Sequence, residues 1–232
     1  MSEPPKRRLL KRPTGGQVRP PVARLDSGKT RSASSRAWLE RQLADPFVAQ
    51  ARAKGYRSRA ALKLVEIDDR YHLIPRGGRV IDLGCAPGGW LQVALERGAS
   101  SVVGIDLLAV EPVAGARIVQ GDLTEDGVGA FLVEQLGSRP DLVLCDMAPN
   151  TTGHRQTDHL RIMALVEAAA EFAISTLRPG GNFFSKAFQG GETAAVIARL
   201  RRGFADVRTI KPRASRAESS EVYLAALGFR GR

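Results

Sequence analysis

From Arg79 onward the chain alternates short apolar runs with longer stretches of helical period, and that alternation limits the folds open to it more than any other feature. Strand-like runs are read at Arg79 to Leu83, Ser101 to Asp106, Ala116 to Gln120, Asp141 to Asp146, Asn182 to Lys186, Asp206 to Ile210 and Glu221 to Leu227. Helical patterns separate most of them, at Gly89 to Arg97, Gly127 to Leu136, Asp158 to Leu177 and Glu192 to Arg202. Apolar strands buried on both faces and joined by helices imply an α/β fold, here a seven-stranded, mostly parallel sheet with helices on both faces. About nine residues link the second and third runs, too few for a crossover helix. The polar loop "KPRASRAESS" joins the last two, which predicts an antiparallel pair. Two helices should precede the sheet, in "SSRAWLERQLADPFVAQARAKG" and "RSRAALKLVEIDDRYHLI"; in the second, Ser58 is the expected N-cap, and Ala61, Leu64, Val65 and Tyr71 share one face.

Open sheets of this kind bind ligands beyond the carboxyl ends of their strands. The residues that follow the strands therefore matter most: the "DLGCAPGG" turn, Asp106, Asp122 in "QGDL", Asp146 in "DMAPN" and Lys186 in "SKAFQGG", four acids and a lysine on one edge. The stretch "VIDLGCAPGGW" reads as strand, glycine turn and helix start, which can hold a dinucleotide, a nucleoside triphosphate or S-adenosylmethionine, or be a tight turn only. A triphosphate loop would need GxxxxGK[ST], and no such lysine is present. A dinucleotide fingerprint would read GxGxxG, whereas Gly84 is followed by Pro87, Gly88 and Gly89, without the middle glycine that lets backbone approach a pyrophosphate. Asp106, placed to accept from ribose hydroxyls, serves NAD and S-adenosylmethionine alike. Asp122, placed to accept from an adenine amino group, tilts the choice toward S-adenosylmethionine. A nicotinamide-dependent oxidoreductase remains the rival.

If a methyl group is moved, the acceptor can be narrowed. An exocyclic-amine acceptor calls for an [ND]PP[YF] loop, and "DMAPN" has no aromatic; a cytosine C5 acceptor calls for a nucleophilic cysteine, and Cys145 follows Leu144 inside a strand. An oxygen nucleophile is left, and a ribose 2′-hydroxyl needs a group that draws off its proton. A lysine serves only if its pKa, ordinarily about 10.4, is depressed by burial or a second cation. Lys186 and Lys63, in "AALKLV", are expected to meet and depress one another, with Asp146 and Glu221 orienting the pair.

In order and spacing, "RSRAALKL", "VIDLGCAPGGW", "DMAPN", "KAFQGG" and "SSEVYLAA" resemble the motifs of the FtsJ/RrmJ family of ribose 2′-O-methyltransferases. The resemblance covers roughly Ser32 to the C-terminus. It implies a Rossmann-like class I S-adenosylmethionine-dependent methyltransferase domain over residues 36–232. It also implies a tetrad of Lys63, Asp146, Lys186 and Glu221, with Lys186 as proton acceptor, and cofactor ligands at Gly88, Trp90, Asp106, Asp122 and Asp146. The family's bacterial member modifies a uridine of 23S ribosomal RNA in the assembled large subunit, which implies that partner here. One departure is Leu62, where relatives often place a larger aromatic before the lysine.

The second departure is a basic arm. Of the net charge of +11, residues 1 to 36 carry +8, from ten Lys/Arg against Glu3 and Asp26. With Pro4, Pro5, Pro13, Pro20 and Pro21, residues 1–35 cannot bury enough apolar surface to fold and are expected to be a mobile arm that contacts RNA phosphates. The prolines also argue against the amphipathic helix of a transit peptide. Elsewhere Arg57, Arg59, Lys211, Arg213 and Arg216 are candidate phosphate contacts; at 6% aromatics, stacking on many bases is not expected. The two cysteines and the scattered His72, His154 and His159 form no metal-ligand pattern, and no metal is expected. With no apolar run of bilayer length, a cytoplasmic monomer without membrane contact is expected. A non-catalytic ribosome-assembly factor and a relative acting on transfer RNA or capped RNA are the further alternatives. Deleting the arm through about Ser32 should weaken RNA binding and flatten its dependence on salt while cofactor affinity holds; an unchanged salt slope in a titration series would make the arm a solubilising tail.

Overall fold

The computed structural model describes residues 45–149, 155–216 and 219–231. The arm, Trp38 and the first half of the first expected helix lie outside them. What remains of that helix is α1, Pro46–Ala53, started by the Asp45 side chain, which accepts from Phe47 N at 3.0 Å, with proline in the first turn. Next comes α2, Ala60–Tyr71. Ser58 does not cap it: Arg59 stands at the cap position without a side-chain bond, and the Ser58 hydroxyl instead lies where a side chain on Gly89 would go. The expected apolar face of α2 holds, with Ala61 and Leu64 buried and Val65 and Tyr71 packed on the same cluster.

The seven strands are β1 (Arg79–Leu83), β2 (Ser101–Asp106), β3 (Ala116–Gln120), β4 (Leu142–Cys145), β5 (Asn182–Phe188), β6 (Phe204–Ile210) and β7 (Glu221–Phe229). Between them run α3 (Gly89–Glu96), α4 (Val128–Leu136), α5 (Arg155–Thr176) and α6 (Gly191–Gly203). All seven strands lie in one sheet of order β3-β2-β1-β4-β5-β7-β6. From β3 to β5 every neighbour is parallel, and β7 pairs antiparallel with both β5 and β6. The expected helix-free link between β2 and β3 is found.

Strand composition follows position in the sheet. Central β1, β2 and β4 are almost wholly buried, as near-continuous Val, Ile and Leu runs require. Edge strands β3 and β6 are largely exposed or half-buried and carry Arg117, Asp206 and Arg208, charges that discourage pairing with another chain. Period 2 divides each central strand between two apolar layers. Ile81, Leu83, Val103 and Val143 pack with α4, α5 and α6 on one face. Val80, Val102, Leu142, Leu144 and Phe184 pack with α2 and α3 on the other.

The edge of the sheet where the parallel strands begin is tied by Asp141. Its carboxylate accepts from Arg79 N at 2.7 Å and Arg79 Nε at 3.3 Å, and it pairs with Arg178, so one buried acid joins the starts of β1, β4 and the loop before β5. Asp141→Ala strips partners from three donors and should cost about 2 to 3 kcal/mol in urea unfolding. Because the residue sits at the end of the sheet opposite the candidate site, ligand affinity should not change.

Candidate active site

The turn between β1 and α3 stands on the strand ends. Gly84 N and Cys85 N both donate to Ile105 O of β2, and Asp146 N donates to Leu83 O, so the residues after β1, β2 and β4 converge. Gly84 and Gly88 adopt φ of +77° and +107°, which disfavours any side chain there. The space beside these glycines is taken by protein. A Cβ on Gly84 would lie 2.9 Å from the Met147 backbone, one on Gly88 3.0 Å from Arg57 and Val113, and one on Gly89 2.6 Å from the Ser58 hydroxyl. The glycines let neighbouring segments close on the turn, which the motif alone could not distinguish from room for a ligand.

Each predicted acid can be placed. Asp106 accepts from Ala86 N and Leu108 N, both at 2.9 Å, linking the turn to the loop after β2. Asp122, half-buried after β3, spends Oδ1 on Thr124 N and Oγ1, and these bonds hold its carboxyl below the usual range. Strand register sets Asp106 beside Gln120, so the two acids share the mouth of the site. Trp90, 3% exposed, donates from its indole to Ala60 O and packs on Phe184 and Tyr223.

Asp82, counted with the turn but given no role from sequence, is the most unusual acid. It is fully buried, and among the described residues neither oxygen has a hydrogen-bond partner. Burial first, then the nearby Asp146 and Asp106, push its pKa well above the carboxylate range, so the ligand-free chain holds it protonated. The two other acids about the turn, Asp106 and Asp146, reject an anion and suit a cation.

On the α2 face, strand period 2 aligns Lys186 of β5 with Glu221 and Tyr223 of β7, and Lys186 is in register with Tyr223. Lys63, 4% exposed on α2, donates to Glu221 Oε1 at 2.5 Å and to Tyr223 Oη at 3.0 Å. Glu221 also accepts from Ser215 Oγ at 3.0 Å. Lys186 Nζ lies 2.7 Å from Asp146 Oδ1, but its directed hydrogen bond goes to the Asp146 carbonyl at 2.9 Å, so Oδ1 keeps an ionic contact without an aligned donor.

All four predicted tetrad residues come together, though not as a mutually depressing lysine pair. Each ammonium has its own carboxylate. Burial lowers the Lys186 pKa, but Asp146 and then Glu221 outweigh it and raise it overall, so the ligand-free site holds a lysinium. Burial raises Glu221, and Lys63 followed by Lys186 overrides it, leaving a carboxylate. Beneath lies an aromatic floor: the Tyr223 ring stacks on Phe184 at 5.1 Å and sits 5.4 Å from Lys63 Nζ. Tyr223 and Ser215 were missed in sequence; the i+2 spacing of Tyr223 from Glu221 on one strand face was the available signal. Cys145 is no nucleophile, since burial pushes its thiol up to about 11.

Among the basic candidates, Arg57 is bound to three backbone carbonyls, and Arg59 and Arg216 share Asp45. Lys211 donates to Ser219 O, and Arg213 is exposed.

The model of the FtsJ-like methyltransferase family matches residues 56–229. The chain belongs to this family of methyltransferases. A protein of Caulobacter vibrioides named ribosomal RNA large subunit methyltransferase E is 59% identical over 97% of this chain and all of its own length. One of the same name from Granulibacter bethesdensis is 53% identical over 94% of this chain and 97% of its own. A solved Plasmodium falciparum structure, described as that of a ribosomal RNA methyltransferase, superposes with a TM-score of 0.68 at 31% identity, over 76% of this chain and all of its own. The FtsJ-like fold thus accounts for the sheet order and for the edge on which the tetrad stands.

The residues fit the cationic methyl donor that such enzymes generally use. S-adenosylmethionine brings a sulfonium and an ammonium to the acids about the turn, whereas a dinucleotide would bring its pyrophosphate there. Asp82 gives a direct check on the site's charge. Its folded pKa is raised, so the folded chain keeps a proton that the unfolded chain releases near pH 4, and stability falls as pH rises from there toward the folded value. Asp82→Asn removes this loss, and its stability advantage in urea unfolding should grow as pH rises above about 4, where an unfolded aspartate gives up its proton. Parallel curves for the two proteins would mean that Asp82 is not the proton-holding group.

Proposed function

We propose that the protein transfers a methyl group from S-adenosylmethionine to the 2′-hydroxyl of a ribose in large-subunit ribosomal RNA. The observation that carries this reading is the paired tetrad, Lys63 with Glu221 and Lys186 with Asp146, beside a turn ringed by acids. Asp106 is suited to accept from the cofactor's ribose hydroxyls, Asp122 from its adenine amino group, and Gly88 and Trp90 to offer backbone at its methionine end. Asp146 is shared between the cofactor and Lys186. When bound, the cofactor supplies an electrophilic methyl carbon on a positively charged sulfur.

The chain's own work is to deliver the oxygen and remove its proton. As the new C–O bond forms and the S–CH₃ bond breaks, the 2′ proton passes to Lys186 Nζ. Lys186 must then be a neutral amine, yet Asp146 holds it as lysinium in the ligand-free chain. A cation beside Asp146 reverses that balance, because a like charge lowers an ammonium pKa. A cofactor cation held beside Asp146 would supply the depressing charge that sequence reasoning assigned to Lys63. Lys63, held by Glu221 and Tyr223, is a fixed donor toward the incoming ribose.

The substrate class is supported by the names that the relatives carry, by the exposed Arg213 and by the basic arm, whose ten cations in residues 1 to 36 suit phosphate contact. Purified large ribosomal subunits, free transfer RNA and capped RNA should be offered side by side with labelled cofactor. Label is expected on the 2′-oxygen of large-subunit RNA. Lys186→Ala should lower that rate by roughly 10²- to 10⁴-fold while cofactor and RNA binding persist. Label on transfer RNA or cap alone would reassign the substrate; full activity in Lys186→Ala would remove lysine from the proton transfer.

A further inference from the structure

Arg57 lies just before α2, and its guanidinium makes an uncommon set of contacts for an exposed side chain. Nη1 donates to Pro87 O at 3.1 Å and Glu111 O at 2.5 Å, and Nη2 donates to Pro112 O at 2.6 Å. Pro87 belongs to the β1–α3 turn, while Glu111 and Pro112 belong to the loop that follows Asp106. One planar cation therefore spans the two backbone walls that flank the proposed cofactor site. Only a guanidinium carries enough donors in a fixed fork to serve three carbonyls at once; a lysine carries the charge without the plane.

The segment carrying Arg57 is itself gripped from α3. Gln92 Oε1 accepts from Arg57 N at 2.9 Å, and Gln92 Nε2 donates to Gly55 O at 3.0 Å. Trp90 Nε1 reaches Ala60 O at 2.8 Å, and the Tyr56 hydroxyl reaches Glu96 at 2.6 Å. Every one of these bonds joins residues 55–60 to the turn or to α3. Three residues on, the same segment becomes the helix that carries Lys63.

From this arrangement we infer that Arg57 is a positioning residue of the cofactor site: it holds the Gly88 turn and the Leu108–Val113 loop at a fixed separation and ties both to the helix of Lys63. The role rests on the reading that the turn holds S-adenosylmethionine. It takes Arg57 out of the set of phosphate contacts, because a guanidinium that turned to RNA would release both walls.

The test uses the full chain and three proteins: wild type, Arg57→Ala and Arg57→Lys. S-adenosylmethionine binding is measured by calorimetry, RNA binding is titrated across salt, and amide hydrogen exchange is followed without ligand. Both variants should weaken cofactor binding about tenfold, the lysine included, as expected for the loss of charged hydrogen bonds. Steady-state kinetics should show the deficit in the cofactor KM, with RNA KM and the salt slope within about twofold of wild type. Amides of Gly88 to Trp90 and Leu108 to Val113 should exchange faster in both variants. If Arg57→Ala fails to fold, Arg57→Lys decides. The inference is overturned if cofactor affinity and exchange match wild type. It is equally overturned if lysine rescues a loss seen in RNA binding, the behaviour of a phosphate contact. Should wild type bind no S-adenosylmethionine, the proposed function fails, while hydrogen exchange still reports whether Arg57 holds the two walls.

Discussion

A buried ammonium on α2 meets a carboxylate on β7, and the geometry of the site depends on that meeting. Lys63 and Glu221 are separated by most of the domain in sequence, so their pairing is available only once the sheet has formed and α2 has docked on it. Leaving either charge buried alone would cost several kcal/mol, which makes the pair a strict condition on the docking of α2. With α2 in place, Tyr223 is held beneath Lys63, Ser215 is drawn to Glu221, and the strand register carries Lys186 to the same face. The second pair, Lys186 with Asp146, then bridges β5 and the end of β4.

The charges of the site fall into two zones. Acids dominate around the turn, where Asp82, Asp106 and Asp146 approach one another closely enough for their repulsion to be felt at Asp82. Lysines dominate over β5 and α2. A ligand that is cationic at its reacting end suits the first zone, and a polyanion suits the second. Asp146 stands at the border, and its carboxylate is the one group that both zones use. The charge of Lys186 is therefore tied to Asp146, which with Glu221 raises its pKa against the effect of burial.

Much of the fold was legible because parallel strands buried on both faces must be continuously apolar, and the runs beginning at Arg79, Ser101 and Ala116 ended where the strands end. β5, β6 and β7 run further than read, reaching Phe188, Phe204 and Phe229. The membership of the tetrad was legible from motif spacing; its pairing was not. Sequence carries no record of which carboxylate reaches which ammonium, and the choice reverses the direction in which Lys186 shifts. Ser58 misled for a similar reason: its hydroxyl suits an N-cap, but the close approach of Gly89 claimed that space. Arg57 looked like any surface cation, since three carbonyl partners at Pro87, Glu111 and Pro112 leave no trace in composition.

The strand order has a further consequence. β7 enters between β5 and β6, although it follows both in the chain, so β5 remains an open edge until the last strand is inserted. Until then Lys186 has neither Tyr223 in register beside it nor Glu221 near it, and Lys63 has no carboxylate. A nascent chain emerging from the ribosome can complete the parallel half of the sheet, acids and glycine turn included, and still lack Glu221, the carboxylate that Lys63 pairs with. Chemical competence is thus the final event of assembly, and any chain able to transfer a methyl group has already closed its sheet.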